Sequence, residues 1–286
     1  DLTERENDLI TLFLRGQNLE TEGWPDEIRK QHTADELAVQ RGAFLVDAYN
    51  CRGCHMIDGR GIDIDGDHVA DGGDIYKWFA AHEEEMYRAP PKLVNIGKKL
   101  YPDWLYAFLK EPFKLRENFK VKMPNFQFTD QMTSDLVAYF AAKSKSQYPY
   151  VEKKVDVLSD ADMKTAEALF TASQCLNCHN LGGPSNDPKN IAPNLALTAD
   201  RLQYEWLFDW LKDPASQIPG VGMPGFFIYD EDADDYMTPL TQYADGDWKR
   251  QVELLRAYVI TLGAKENGKY AKSKSDSDSD TASLRE

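Results

Sequence analysis

Two five-residue segments, Cys51-Arg-Gly-Cys54-His55 and Cys175-Leu-Asn-Cys178-His179, lie 124 residues apart and use all four cysteines of the chain. No thiol is left over for a disulfide framework, so both segments are read as chemistry. Placed in register, they align far more than the cysteines. A small residue stands nine positions upstream of each first cysteine, Gly42 and Ala166, and an apolar residue five positions upstream, Val46 and Phe170. Downstream come Pro91-Lys-Leu93 and Pro193-Asn-Leu195, and eleven residues further Trp104 and Trp206. From there Trp104-Leu105, Phe108-Leu109-Lys110 and Pro112 run against Trp206-Leu207, Trp210-Leu211-Lys212 and Pro214 without a gap. Each copy reaches Met-Pro-x-Phe, at Met123 and Met223, then Leu-x-Ala-Tyr, at Leu136 and Leu255. The chain reads as a tandem duplication.

The expected fold is all-α, with each copy a small helical domain. Apolar residues in 104–109 and 206–211 recur at helical spacing, and Pro112 and Pro214 stop those helices. Asp130 with Asp135, and Gly246 with Asp247, mark where the terminal helices start; no alternating pattern marks a strand. This divides the chain into an N-terminal extension (1–34), domain 1 (35–147), a polar linker (148–158), domain 2 (159–265) and a Ser/Asp tail (266–286) disordered by composition. Domain 1 carries 22 extra residues between His55 and Pro91, and domain 2 carries 19 extra between Met223 and Tyr258.

Cys-x-x-Cys-His is the attachment motif of c-type haem. The thiols add to the vinyl groups as thioethers and the adjacent histidine takes the iron. A zinc or thiol redox pair is the rival for a single motif, but two motifs inside a repeat, each followed by a methionine at matching distance, favour two covalently bound haems c. Met123 and Met223 are the in-frame candidates for the sixth ligand, giving His55 with Met123 at one iron and His179 with Met223 at the other. In the first copy His68 and His82, both in the insertion, remain alternatives to Met123. Thioether ligation raises the potential and fills both axial positions, which suits electron transfer rather than oxygen or peroxide chemistry.

The order Cys-x-x-Cys-His, Pro-x-Leu, Trp-Leu helix, Met-Pro and terminal helix resembles class I cytochrome c in both copies. Glu205 to Pro214 leading to Gly222-Met223-Pro-Gly225 resembles the cytochrome c domains attached to respiratory complexes. The resemblance implies a helical fold around each haem, with the Pro91 and Pro193 carbonyls accepting a hydrogen bond from the proximal histidines. It also implies Trp104 and Trp206 beside the haem or at a propionate, with plain core packing the alternative.

The first insertion holds Asp63, Asp65, Asp67 and Asp71. Spaced carboxylates of this kind gather around Ca²⁺, but the glycine is misplaced for an EF-hand and no twelfth-position glutamate follows. The run reads as a solvated loop with a Ca²⁺ site as the alternative. The second insertion has its own acidic run, Asp230 to Asp235.

A formal charge of −15 argues against nucleic acid or an anionic membrane surface as partner and favours a redox protein with a basic docking surface. Solubility alone could also account for it. Position 1 is not methionine, which suggests an exported, periplasmic or outer-face protein whose targeting segment has been removed. The function expected is single-electron transfer, as a soluble carrier or as a subunit of, or docking to, a membrane electron-transfer complex. The enzymatic alternative is a dihaem peroxidase, which would need an open coordination position with acid–base groups beside it. A redox-controlled association role has only the acidic insertions in its favour.

Overall fold

The computed structural model describes residues 33–62, 68–69, 90–116, 122–183, 187, 189–218 and 221–282. Contacts divide the chain into two units, Asp1–Leu37 and Ala38–Glu286. In the first, the described residues form a capping box: Thr33 Oγ1 accepts from the Glu36 amide at 3.2 Å, and Glu36 Oε2 accepts from the Thr33 amide at 2.9 Å.

The described residues of the first half form four helices. Helix α1 (Ala34–Ala48) leads into a 3₁₀ turn at Cys51–Gly53, and α2 (Ile96–Lys99), α3 (Pro102–Lys110) and α4 (Asp130–Lys143) follow. Pro102 opens α3, where its missing N–H costs nothing, and the helix is over before Pro112. Thr129 Oγ1 caps α4 by accepting from the Met132 amide at 3.3 Å. Helices α1 and α4 cross where Gly42 has no side chain to spare: a Cβ there would lie 2.2 Å from the Asp135 carbonyl oxygen. One residue away, Arg41 grips the buried Asp135 carboxylate with two bonds of 2.7 and 2.9 Å. Leu45, Val46, Ile57, Leu105, Leu136 and Tyr139 form the core beneath this crossing.

The second half runs through α5 (Asp160–Ala172), a 3₁₀ turn at Cys175–Asn177, another at Leu195–Leu197, then α6 (Thr198–Arg201), α7 (Tyr204–Lys212), the short α8 (Pro214–Gln217) and α9 (Trp248–Ala282). Asp247 starts α9, accepting from the amides of Lys249 and Arg250 at 2.9 and 3.2 Å. Its core, with Ala166, Leu169, Phe170, Leu207, Val252 and Tyr258, is separate from the first.

Two features depart from the sequence reading. Both insertions carry short hairpins: β1 (Gly61–Ile62) pairs antiparallel with β2 (His68–Val69), and β3 (Ile228–Asp230) with β4 (Asp235–Met237). Strands of two or three residues are too short to show a period of two, and the Tyr229–Tyr236 pair that holds the second hairpin is cross-strand, with ring centroids 5.3 Å apart. Helix α9 also continues through the Ser/Asp run to Ala282, where composition predicted disorder. The well-packed segment before it supplies the nucleus, and propagation from an existing helix needs no new one.

The halves meet along a seam of repeated contacts. Leu100 and Leu202 form an antiparallel backbone bridge. The Tyr101 amide donates to the Arg201 carbonyl at 3.1 Å, and the Gln203 amide donates to the Lys99 carbonyl at 2.9 Å. Leu100 meets its own counterpart 102 positions along the chain, while Tyr101 bonds to the counterpart of Lys99 and Lys99 to the counterpart of Tyr101, so the contact is self-complementary in the way of a two-fold interface. Correspondingly, α2 packs on α7 and α3 on α6. The connecting segment is tied to the same seam, with Lys153 Nζ 2.9 Å from Asp103 of the first half and 3.7 Å from Asp200 of the second. Among the described residues no helix is long and apolar enough to cross a membrane.

Candidate functional site

Both Cys-x-x-Cys-His segments fold as the same tight turn. The residue before each first cysteine, Asn50 or Gln174, sits in the left-handed region at φ 50° and 54°. That reversal turns the chain out of α1 or α5 into the 3₁₀ turn. The His55 amide then donates to the Cys51 carbonyl at 2.9 Å, and the His179 amide to the Cys175 carbonyl at 3.1 Å, winding each motif into a single turn. Cys51 and Cys175 lie against the core, while Cys54 and Cys178 are exposed. Burial pushes the Cys51 and Cys175 thiols up to about 11, so neither is a ready free thiolate of the kind that disulfide exchange needs.

The Pro-x-Leu segments are latched back onto these turns. The Leu93 amide donates to the Met56 carbonyl, and the Leu195 amide to the Asn180 carbonyl, both at 2.9 Å. This brings the Pro91 carbonyl oxygen to 2.8 Å from His55 Nδ1, and the Pro193 carbonyl oxygen to 2.6 Å from His179 Nδ1. A carbonyl can only accept, so Nδ1 carries the proton and Nε2 keeps its lone pair. Burial lowers the pKa of both imidazoles, against the upward pull of the proline carbonyls, and the charge of Arg201 adds to the lowering at His179. Each ring is therefore neutral, oriented, and offers one nitrogen to a metal.

Met123 packs on the first core beside Phe126, and Met223 on the second beside Phe226, all partly buried. Trp104 is half-buried and stacks on Phe108 with centroids 5.0 Å apart; Trp206 is buried and stacks on Trp210 at 4.9 Å. Asp63, Asp65, Asp67, Asp71 and His82 lie outside the described residues, as does the side chain of His68. Among the described residues no group of three or more His, Cys, Asp or Glu could hold a metal ion.

Sequence reasoning missed three groups. Arg52, inside the first motif, is buried and pairs with Asp47; its guanidinium also lies 3.7 Å from Asp58, which accepts from the Tyr139 hydroxyl at 2.6 Å. Asn194, directly after Pro193, is buried and spans the second latch, donating to the Gly182 carbonyl at 2.6 Å and accepting from the Ala196 amide at 2.9 Å. Lys99 and Arg201 are the third: Lys99 Nζ lies 4.8 Å from the Trp206 ring centre, and the Arg201 guanidinium 5.4 Å from that of Trp104. Their alignment on the 102-residue offset was a usable signal.

A paired thiol turn, a neutral histidine with a free Nε2 and a thioether on the adjoining core make a donor set for covalently attached iron porphyrin. Residues 39–142 match the Cytochrome c family model. The match covers the first motif, Pro91, Trp104, Met123 and helix α4, and gives this segment the reading of a c-type cytochrome domain, with covalent haem c and electron transfer as its chemistry. Searches of curated proteins and of solved structures found no match.

Proposed function

We propose that the chain is a dihaem c-type cytochrome, built from two tandem cytochrome c domains, that passes single electrons between redox partners. The observation that carries this reading is the recurrence of one ligand arrangement. In both halves the histidine after the second cysteine presents Nδ1 to a proline carbonyl, at 2.8 and 2.6 Å, and keeps Nε2 available. The cytochrome c match speaks for the first half; the second rests on its own motif and on this shared geometry.

Haem c supplies a one-electron ferric/ferrous couple when bound. Cys51 and Cys54, and Cys175 and Cys178, would hold the two groups as thioethers, with His55 and Met123, and His179 and Met223, as axial ligands. The proline carbonyls fix the tautomer and ring plane of each histidine, so no ligand reorients when charge changes. The flanking cores exclude water, which favours the less charged, reduced state, and the thioether works in the same direction. Held by a histidine and a methionine each, the two groups would serve electron passage rather than peroxide turnover.

The exposed hairpin β3–β4 presents Asp232, Asp234 and Asp235 beside exposed Ile228, Tyr229 and Met237. An acidic face with an apolar centre suits a basic partner surface, and the reading places the protein outside the cytoplasm, as a carrier or as a subunit of an electron-transfer complex.

The test is an absorption spectrum of the purified holoprotein with a haem count. Two haems per chain, with the weak red-edge band of iron–methionine sulfur scaled to both, are expected. One haem per chain refutes the dihaem reading. Two haems with a band scaled to one would assign the first iron to His68 or His82.

A further inference from the structure

The seam between the halves gathers positive charge on partly buried side chains. Lys99 reaches from the first half over the second half's Trp206 and Trp210, at 4.8 and 5.2 Å from their ring centres. Arg201 reaches from the second half over the first half's Trp104, at 5.4 Å. The exchange is reciprocal, since Lys99 and Arg201 stand at the same place in the two copies. Arg116 is close enough to repel both. Among the described residues no carboxylate pairs with Lys99 or Arg201, and the Arg201 Nε atom is buried without a hydrogen-bond partner.

Such an arrangement is unfinished. A tryptophan face attracts a cation but does not neutralise it. Burial, with the repulsion of Arg201 and Arg116, brings Lys99 down to about 7, so a lysine can escape by losing its proton. Arginine has no such escape in the physiological range, and even with its pKa lowered to about 10 Arg201 stays charged. A half-buried guanidinium whose Nε–H is buried and idle calls for an anion. The charge of Arg201 also reaches the second candidate site, where it is felt at His179.

We propose that Lys99, Arg201 and Arg116 form one carboxylate-binding cage at the seam, filled by haem propionates from both halves, so that the same cations set both redox potentials. The inference rests on the two-haem reading. It goes further in making the two sites one electrostatic unit: each half contributes a cation placed over the other half's tryptophan. A positive charge near an iron favours the reduced state, so cations shared at the seam raise both potentials together. An inorganic anion such as phosphate has the right chemistry too, and would bind competitively from solution instead.

The decisive experiment is a spectroelectrochemical titration of the holoprotein carrying Lys99→Gln or Arg201→Gln, with Lys99→Arg and Arg201→Lys as charge-keeping controls and thermal midpoints to monitor folding. Each neutralising change should lower both midpoint potentials, and each control should stay near the unmodified value. Two bound haems in a folded variant with neither potential moved, or only one, would overturn the proposal. A single haem per chain would instead overturn the reading beneath it. If a Gln variant does not fold, titrating the unmodified holoprotein with inorganic phosphate decides: potentials indifferent to phosphate agree with a cage filled by propionates, and a phosphate-dependent shift of either overturns it.

Discussion

The side-chain amide of Gln203 lies with Nε2 2.6 Å from the carbonyl oxygen of Leu100, and the same nitrogen is 2.6 Å from the carbonyl of Gly97. One side chain of the second half thus closes the open end of a helix in the first, where α2 has run out of amides to offer its last carbonyls. Gln203→Ala should leave two carbonyls without this donor and cost about 1–3 kcal/mol. Chemical denaturation should show a lower midpoint at unchanged slope, because the surface exposed on unfolding is nearly the same.

The α1–α4 crossing has no slack. A Cβ on Gly42 would meet the Asp135 carbonyl oxygen at 2.2 Å and the Tyr139 Cβ at 2.5 Å, both on the facing helix. Gly42→Leu should force the helices apart, disturb the Arg41–Asp135 pair and destabilise by about 1–3 kcal/mol, the usual cost of overpacking. A thermal melt equal to that of the unmodified protein would show that the crossing is looser than this.

Two helix starts carry a pH dependence. Lys110 and Tyr106 hold the Asp130 carboxyl below its ordinary 3.8, and Ser159 and Arg250 do the same for Asp162. For an acid whose pKa is lower in the folded state, the unfolded chain binds the proton more readily, so stability rises with pH across the gap. The contribution is complete above the ordinary carboxylate range and disappears as pH falls through the folded values. The Asp130→Asn, Asp162→Asn double variant should flatten the thermal midpoint between about pH 5 and 2.

Ligand assignment makes its own prediction. With Met223 as sixth ligand, Met223→Ala opens one coordination position without touching the attachment cysteines. The reduced variant should bind carbon monoxide at one haem per chain, lose half of the red-edge absorption and show one lowered potential. Carbon monoxide binding to the unmodified protein would mean that a position is already open.

Much of the framework was legible in the sequence because it is written in local signals. Helices α3 and α7 follow from apolar spacing and a proline stop, and the motif turns from five residues each. The seam was not, because its centre is backbone pairing: Tyr101 with Arg201 and Gln203 with Lys99, through amides and carbonyls that every residue possesses. Only the coincidence of a cation followed by leucine at Lys99-Leu100 and Arg201-Leu202 hinted at it. Hairpin β3–β4 was hidden for another reason, since three-residue strands are stabilised by their cross-strand tyrosines and a turn rather than by a periodic pattern. Arg52 shows the limit of composition: a charged residue inside a motif reads as exposed until Asp47, Asp58 and Tyr139 are seen around it.

Electron capacity tests the central claim most directly. An anaerobic reductive titration of the holoprotein should take up two electrons per chain at two haem sites, both fully reversible and with no consumption of added peroxide by the reduced form. Uptake of one electron per chain, or catalytic loss of peroxide, would contradict a two-haem electron-transfer protein.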